Sequence, residues 1–211
     1  GNGKSLDFAG FLATFMRKNA ACRTRCGRRN AKKGKSDMRL FVAVLLSEPM
    51  RQALLDTMAQ MRAQGARGNF TRKENLHVTL AFLGETDAQG CVRAKRALAA
   101  CAASCAPIPL QLGQAGRFGA LWWAGLQNSA PLQALAQSAQ NALRAEGFVL
   151  ENRSFVPHIT LARQVSAPTP LRLAVPSASC TAERVSLMRS DRINGVLRYT
   201  EIYAPSLSKA L

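Results

Sequence analysis

The chain has 211 residues, 47% of them hydrophobic and 19% charged, which suits a folded domain with a sizeable core and excludes a disordered chain. Its formal net charge of +17 favours partners that carry many negative charges, RNA or DNA above all. Ten of its 29 Lys/Arg and two of its 12 Asp/Glu fall in residues 1–37, so the remainder keeps 19 against 10 and is basic by itself, at +9.

Residues 1–37 read as a basic extension, non-native or disordered, ahead of a natural start at Met38, and they are set aside from the fold. Their most apolar run, "FAGFLATFM" (8–16), falls far short of the ~20 residues that cross a bilayer, and its positive charges follow rather than precede it. No membrane partner and no secretion are expected. The six cysteines (Cys22, Cys26, Cys91, Cys101, Cys105, Cys180) form no CxxC pair and read as free thiols in the cytoplasm. Cys101 and Cys105 lie one helical turn apart but lack the second pair that a zinc site would need.

From Met38 the chain alternates between strand and helix periods. "RLFVAVLL" (39–46) is a strand, and Ser47 and Pro49 then open a helix that Gly65 ends. "GARGNFTRKEN" (65–75) is a basic loop, and "LHVTLAFLG" (76–84) is a strand. Glu85-Thr86-Asp87 opens an Ala-rich helix over 88–104. "IPLQLGQAG" and "ALWWAGL" form two strands joined through Arg117-Phe118-Gly119, followed by a helix from Pro131 to Glu146. "FVPHITLAR" (155–163) is a strand, 164–178 a loop, and "CTAERVSLMRS" and "VLRYTEIYA" are two strands around "DRING". The order β-α-β-α-β-β-α-β-β-β, with its hairpins, predicts an α+β fold with mainly antiparallel sheets.

Two of these strands carry the same pattern. His77-Val78-Thr79-Leu80-Ala81 and His158-Ile159-Thr160-Leu161-Ala162 differ at one position, lie 81 residues apart, and use the only two histidines in the chain. Alternate strand residues share a face, so His77 and Thr79 point one way while Val78 and Leu80 point the other, and likewise in the second copy. If the halves pack about a pseudo-twofold axis, two imidazoles and two hydroxyls meet across a groove. That set suits phosphodiester cleavage: one imidazole takes a proton while the other gives one, and the hydroxyls hold the non-bridging oxygens. No metal or other cofactor is expected. There is no GxSxG elbow, no P-loop and no GxGxxG.

These residues resemble the two-histidine (2H) phosphoesterases, whose mark is a pair of H-x-[ST]-hydrophobic motifs, and within them the bacterial RNA 2′,3′-cyclic phosphodiesterases, also described as 2′-5′ RNA ligases. The likeness runs from Met38 to about Pro205 and includes "MRLFVAV", "ENLHVTLAFLGE", "LWWAGL", "FVPHITLAR" and "GVLRYTEIY". It implies two pseudo-symmetric lobes over residues 38–211, each an antiparallel sheet with outer helices, around a central active-site groove. It also implies hydrolysis of 2′,3′-cyclic phosphate at RNA ends or in cyclic nucleotides, to a 2′-phosphate. The free thiols set the expected location as cytoplasmic, and a monomer is expected because nothing in the sequence demands a dimer. His77 would protonate the departing 3′-oxygen and His158 would activate water; the pseudo-symmetry of the two motifs leaves the opposite direction of proton flow, to a 3′-phosphate, open. Thr79 and Thr160 would hold the phosphate oxygens, and Arg163 would meet the phosphate or the adjacent nucleotide.

Other residues are weaker candidates. Phe41 is expected in the core rather than against a base, Arg72 and Lys73 could line the groove, and only one of Trp122 and Trp123 can face the core. Two other activities stay open: end joining to 2′-5′ linkages by the reverse reaction, and a non-catalytic RNA-binding module.

Overall fold

The computed structural model describes residues 37–152 and 154–208, so the expectation for residues 1–37 lies, Asp37 apart, outside the described residues. Within them the chain forms β1 (Met38–Leu45), α1 (Glu48–Ala63), β2 (Arg67–Phe70), β3 (His77–Thr86), α2 (Ala88–Ser104), β4 (Ile108–Phe118), β5 (Leu121–Gln127), α3 (Ala130–Ala145), β6 (His158–Ser166), β7 (Ser179–Ala182), β8 (Ser186–Ile193) and β9 (Val196–Tyr203). All strand pairs are antiparallel, in two sheets ordered β3-β1-β8-β9 and β2-β6-β5-β4-β7. The fold is α+β, as the element order predicts.

Local signals account for most boundaries. Pro49 stands in the first turn of α1, where its missing N–H costs nothing, and the chain leaves the helix through Gly65 at φ 80°. Asp87 caps α2 by accepting a hydrogen bond from Gly90 N at 2.7 Å. Asn194-Gly195, both at positive φ, make the tight turn between β8 and β9.

The structure corrects the sequence reading at several points. The basic loop 65–75 contains β2 and a short 3-10 turn, Lys73–Asn75. β2 is polar and mostly exposed, so it carries no hydrophobic alternation to announce it. The strand expected from 155 starts at His158, because Pro157 has no N–H to give to a ladder, and it runs on to Ser166 into the expected loop. The turn between β4 and β5 is Gly119-Ala120. The single strand expected over 180–190 is two, β7 in the second sheet and β8 in the first. The sheets are therefore not the two halves of the sequence. β1 is buried and apolar on both faces, as suits a central strand, and it pairs with β3 on one edge and with the C-terminal β8 on the other.

One core runs through the molecule. Leu40, Val42, Val44, Val78, Ile159 and Leu161 from the sheets meet Leu54, Met58, Leu98, Leu135 and Leu143 from the helices, all at 0–2% exposure or less. The opposite face of the first sheet carries a small separate cluster of Phe41, Ala43 and Met188, with Leu45 and Tyr199 against it. That face borders the groove.

Candidate active site

The side-chain alternation expected of the two motif strands is present. In β3, His77 and Thr79 are half-buried while Val78 and Leu80 are buried, and in β6 His158 and Thr160 are half-buried while Ile159 and Leu161 are buried. All four of the polar residues line one groove of about 640 Å³, large enough for a nucleotide-sized ligand.

Both strands are then interrupted at the same motif position. On β1, Ala43 pairs with Thr79 and Val42 with Ala81, which leaves Leu80 as an extra residue. On β5, Trp123 pairs with Thr160 and Trp122 with Ala162, which leaves Leu161 as an extra residue. A bulge of one residue reverses which face the following side chains take. The fifth residue after each histidine, which regular alternation would bury, therefore joins the groove: Phe82 in β3 and Arg163 in β6. Arg163 is the residue that the resemblance implied. Phe82, 53% exposed, was not anticipated, and its equivalence to Arg163 within the repeated motif was the signal that could have found it.

The two imidazoles are held alike. Nδ1 of His77 lies 2.7 Å from the Asn75 carbonyl, and Nδ1 of His158 lies 2.8 Å from the Val156 carbonyl. A carbonyl oxygen only accepts, so each Nδ1 carries the hydrogen and Nε2 is left as the titrating atom. The Thr79 hydroxyl lies 2.9 Å from His77 Nε2 and donates to it in the neutral state. Burial pushes the pKa of His77 down to about 4, and the positive charges of Arg163 and protonated His158 push in the same direction. Burial, and then Arg163, also lower the pKa of His158. Both rings are thus neutral at neutral pH.

The rest of the groove wall comes from several elements. Arg163 is itself desolvated, which lowers its pKa, and it interacts electrostatically with Tyr199, whose own pKa burial raises. Tyr199 meets the His77 ring edge-on at a centroid distance of 5.2 Å. Phe41, 3% exposed, packs under His77 at 5.0 Å and against Tyr199 at 4.8 Å, so it floors the groove rather than joining the main core. Arg72 lines the groove, together with Arg192 at the β8–β9 end, which the sequence reading did not single out. Lys73 is absent from that lining and forms an ion pair with Glu48 instead. Trp122 packs on the main core, while Trp123 lies against Gly116 and stacks with Phe118 at 5.1 Å. Among the described residues no three His, Cys, Asp or Glu side chains cluster as metal ligands, and no helix is long and apolar enough to cross a membrane.

The comparisons with known proteins agree on the family. The family model for the 2′-5′ RNA ligase superfamily matches residues 49–194. An RNA 2′,3′-cyclic phosphodiesterase of Escherichia coli K12 is 31% identical over 172 residues, covering 78% of this chain and 93% of that protein. One from Geobacillus stearothermophilus is 32% identical over 137 residues, 63% of this chain, but the match spans only 44% of the length of that relative. The crystal structure of E. coli LigT complexed with 3′-AMP superposes with a TM-score of 0.69 at 26% identity, over 82% of this chain and 99% of LigT. The family match, the paired His-x-Thr strands and the LigT-like pair of antiparallel sheets lead to one conclusion: the chain belongs to the 2′-5′ RNA ligase superfamily.

Proposed function

We propose that this protein is an RNA 2′,3′-cyclic phosphodiesterase that opens the cyclic phosphate at RNA ends without a metal ion and leaves a 2′-phosphate. The observation that carries the reading is the matched pair of imidazoles, each with Nδ1 fixed on a backbone carbonyl, on one groove lined by two threonines and Arg163. Relatives across bacteria and archaea named for that activity support it.

In this reaction His158 Nε2 takes a proton from water as the water oxygen attacks phosphorus. The P–O3′ bond breaks, and O3′ takes the proton that His77 carries on Nε2. Thr79, Thr160 and Arg163 donate to the non-bridging oxygens, where charge builds up. His77 must therefore be protonated when substrate is bound. The anionic phosphate raises its pKa above that low value, since an opposite charge nearby favours the charged form.

One observation favours the reverse assignment. His77 carries the deeper depression, with the His158 charge opposing its protonation, which suits a base, and His158 would then be the acid. That path breaks P–O2′ and leaves a 3′-phosphate. Phosphorus NMR of an oligoribonucleotide ending in 2′,3′-cyclic phosphate, incubated with the enzyme in EDTA, separates the two. A 2′-phosphate supports His77 as acid, a 3′-phosphate reverses the roles, and no turnover rejects the hydrolase. The reverse, end-joining reaction must hold two ends together against bulk water, so ligation is a minor activity at most. The reading takes the enzyme as a cytoplasmic monomer, since one chain supplies both histidines and the four described cysteines are free.

A further inference from the structure

The bulged leucines pose a backbone problem that the two strands solve differently. The Leu161 carbonyl accepts from Thr71 N at 2.8 Å, and the Leu80 carbonyl accepts from Gln140 Nε2 at 2.9 Å. β6 has β2 beside it, so the main chain running on from β2 supplies the donor. Among the described residues β3 is the edge strand of its sheet, and on its outer side no strand offers an N–H. There a side chain from α3, 60 residues further along the chain, does the work of a backbone amide. Gln140 also lines the groove.

We propose that Gln140 is a positioning residue: by holding the Leu80 carbonyl it fixes the bulge that brings Phe82 onto the groove face, and so sets how the nucleotide beside the cyclic phosphate is seated. The choice of substrate rests on the hydrolase reading above; the geometry does not. Released from Gln140, the bulge can relax toward regular alternation, which would turn the fifth residue after His77 to the core side. Thr79 precedes the bulge and is tied to His77, so proton transfer is affected less than seating.

The test is a double-mutant cycle on wild type, Gln140→Met, Phe82→Ala and the double variant, using a 2′,3′-cyclic nucleotide for turnover and 2′-AMP for equilibrium binding. Gln140→Met is expected to raise KM and Kd about fivefold, the scale of one neutral hydrogen bond, with kcat changed by no more than roughly twofold. In the Phe82→Ala background the same substitution adds nothing, because its effect runs through Phe82. Far-UV circular dichroism and Tm of Gln140→Met guard against a variant that merely folds poorly. Additive effects of the two substitutions, or an unchanged KM and Kd in well-folded Gln140→Met, would overturn the proposal. Absence of turnover by the wild type would reject the hydrolase reading alone, and the 2′-AMP cycle would still decide the role of Gln140.

Discussion

His77 and His158 stand on different sheets, yet each places Nδ1 within 2.8 Å of the carbonyl of the residue two positions before it, Asn75 in one case and Val156 in the other. The contact is made by main chain, so it does not depend on what side chain occupies the −2 position. It fixes the tautomer of both rings before any ligand arrives, and the ordering entropy of the two groups is met by folding rather than at each turnover.

The same burial that fixes the rings makes the fold sensitive to acid. His77 titrates near 4 in the folded chain against about 6.5 unfolded, so between those values the unfolded chain binds a proton that the folded one refuses. The stabilising contribution is complete above pH 6.5 and is lost as pH falls toward 4, by roughly 3 kcal/mol if the whole shift is expressed. His158 adds to this in the same direction. Thermal melts at pH 7 and pH 5 are expected to show a drop in Tm that His77→Gln visibly reduces. An identical drop in that variant would mean that other groups control acid unfolding.

Removing either imidazole by His77→Ala or His158→Ala is expected to cut kcat by about 10²–10⁴, the range that general acid–base groups contribute. Thr79→Val and Thr160→Val keep shape and lose the hydroxyl, with an expected loss of roughly 10² in kcat and a smaller change in KM. Steady-state kinetics on a cyclic nucleotide checks all four, with far-UV circular dichroism to confirm folding. Near-wild-type turnover in either histidine variant would sink the two-imidazole mechanism.

Arg163 gives a prediction that separates charge from geometry. Arg163→Lys retains the cation but not the planar fork, and Arg163→Met retains neither. Both are expected to raise KM, Met by about 10–100-fold if a charged hydrogen bond to phosphate is lost. Because Arg163 lowers the pKa of both histidines, Arg163→Met also moves their titration to higher pH. The acidic limb of kcat/KM should shift upward in Met and stay in place in Lys. A shift of equal size in both variants would assign the effect to packing rather than charge.

How much of this was legible in the sequence depends on whether a feature has a period. The His-x-Thr strands were, because polar and buried residues alternate cleanly from His77 to Leu80 and from His158 to Leu161. The bulges were not, since a leucine in a bulge has the same composition as a leucine in a strand, and without them Phe82 counts as a core position. The value of Arg163 came from resemblance, not from alternation, which would have buried it. β2 escaped because Arg67, Gly68 and Asn69 are exposed and look like the loop they interrupt, and the single half-buried Phe70 makes no alternation. The crossing of β7 and β8 between sheets escaped because Glu183-Arg184-Val185 keeps an extended look while the hydrogen bonds change partner. Periodicity reports faces, and it is blind to which strand lies alongside.

Gly68 brings β2 into a position that only a glycine tolerates at this spacing. A Cβ built there would lie 2.9 Å from the Arg163 carbonyl and 3.1 Å from that of Gln164, both backbone atoms that cannot swing aside. Across the same pair, Asn69 sits opposite Arg163 and its amide reaches Gln164 Oε1 at 2.6 Å, while Gln164 itself adopts φ 54°. β2 is thus the outer wall against which the Arg163 segment is set. Gly68→Ala is expected to push β2 off β6, lowering stability by roughly 1–3 kcal/mol, the usual cost of overpacking. It should also raise KM in the same sense as Arg163→Met, although residue 68 carries no charge and no side chain in the groove. Combining Gly68→Ala with Arg163→Met separates the two effects: the Tm loss persists, and the KM change of Gly68→Ala disappears because Arg163 is no longer there to be displaced. An unchanged KM in the single variant, with Tm lowered, would confine β2 to a structural role.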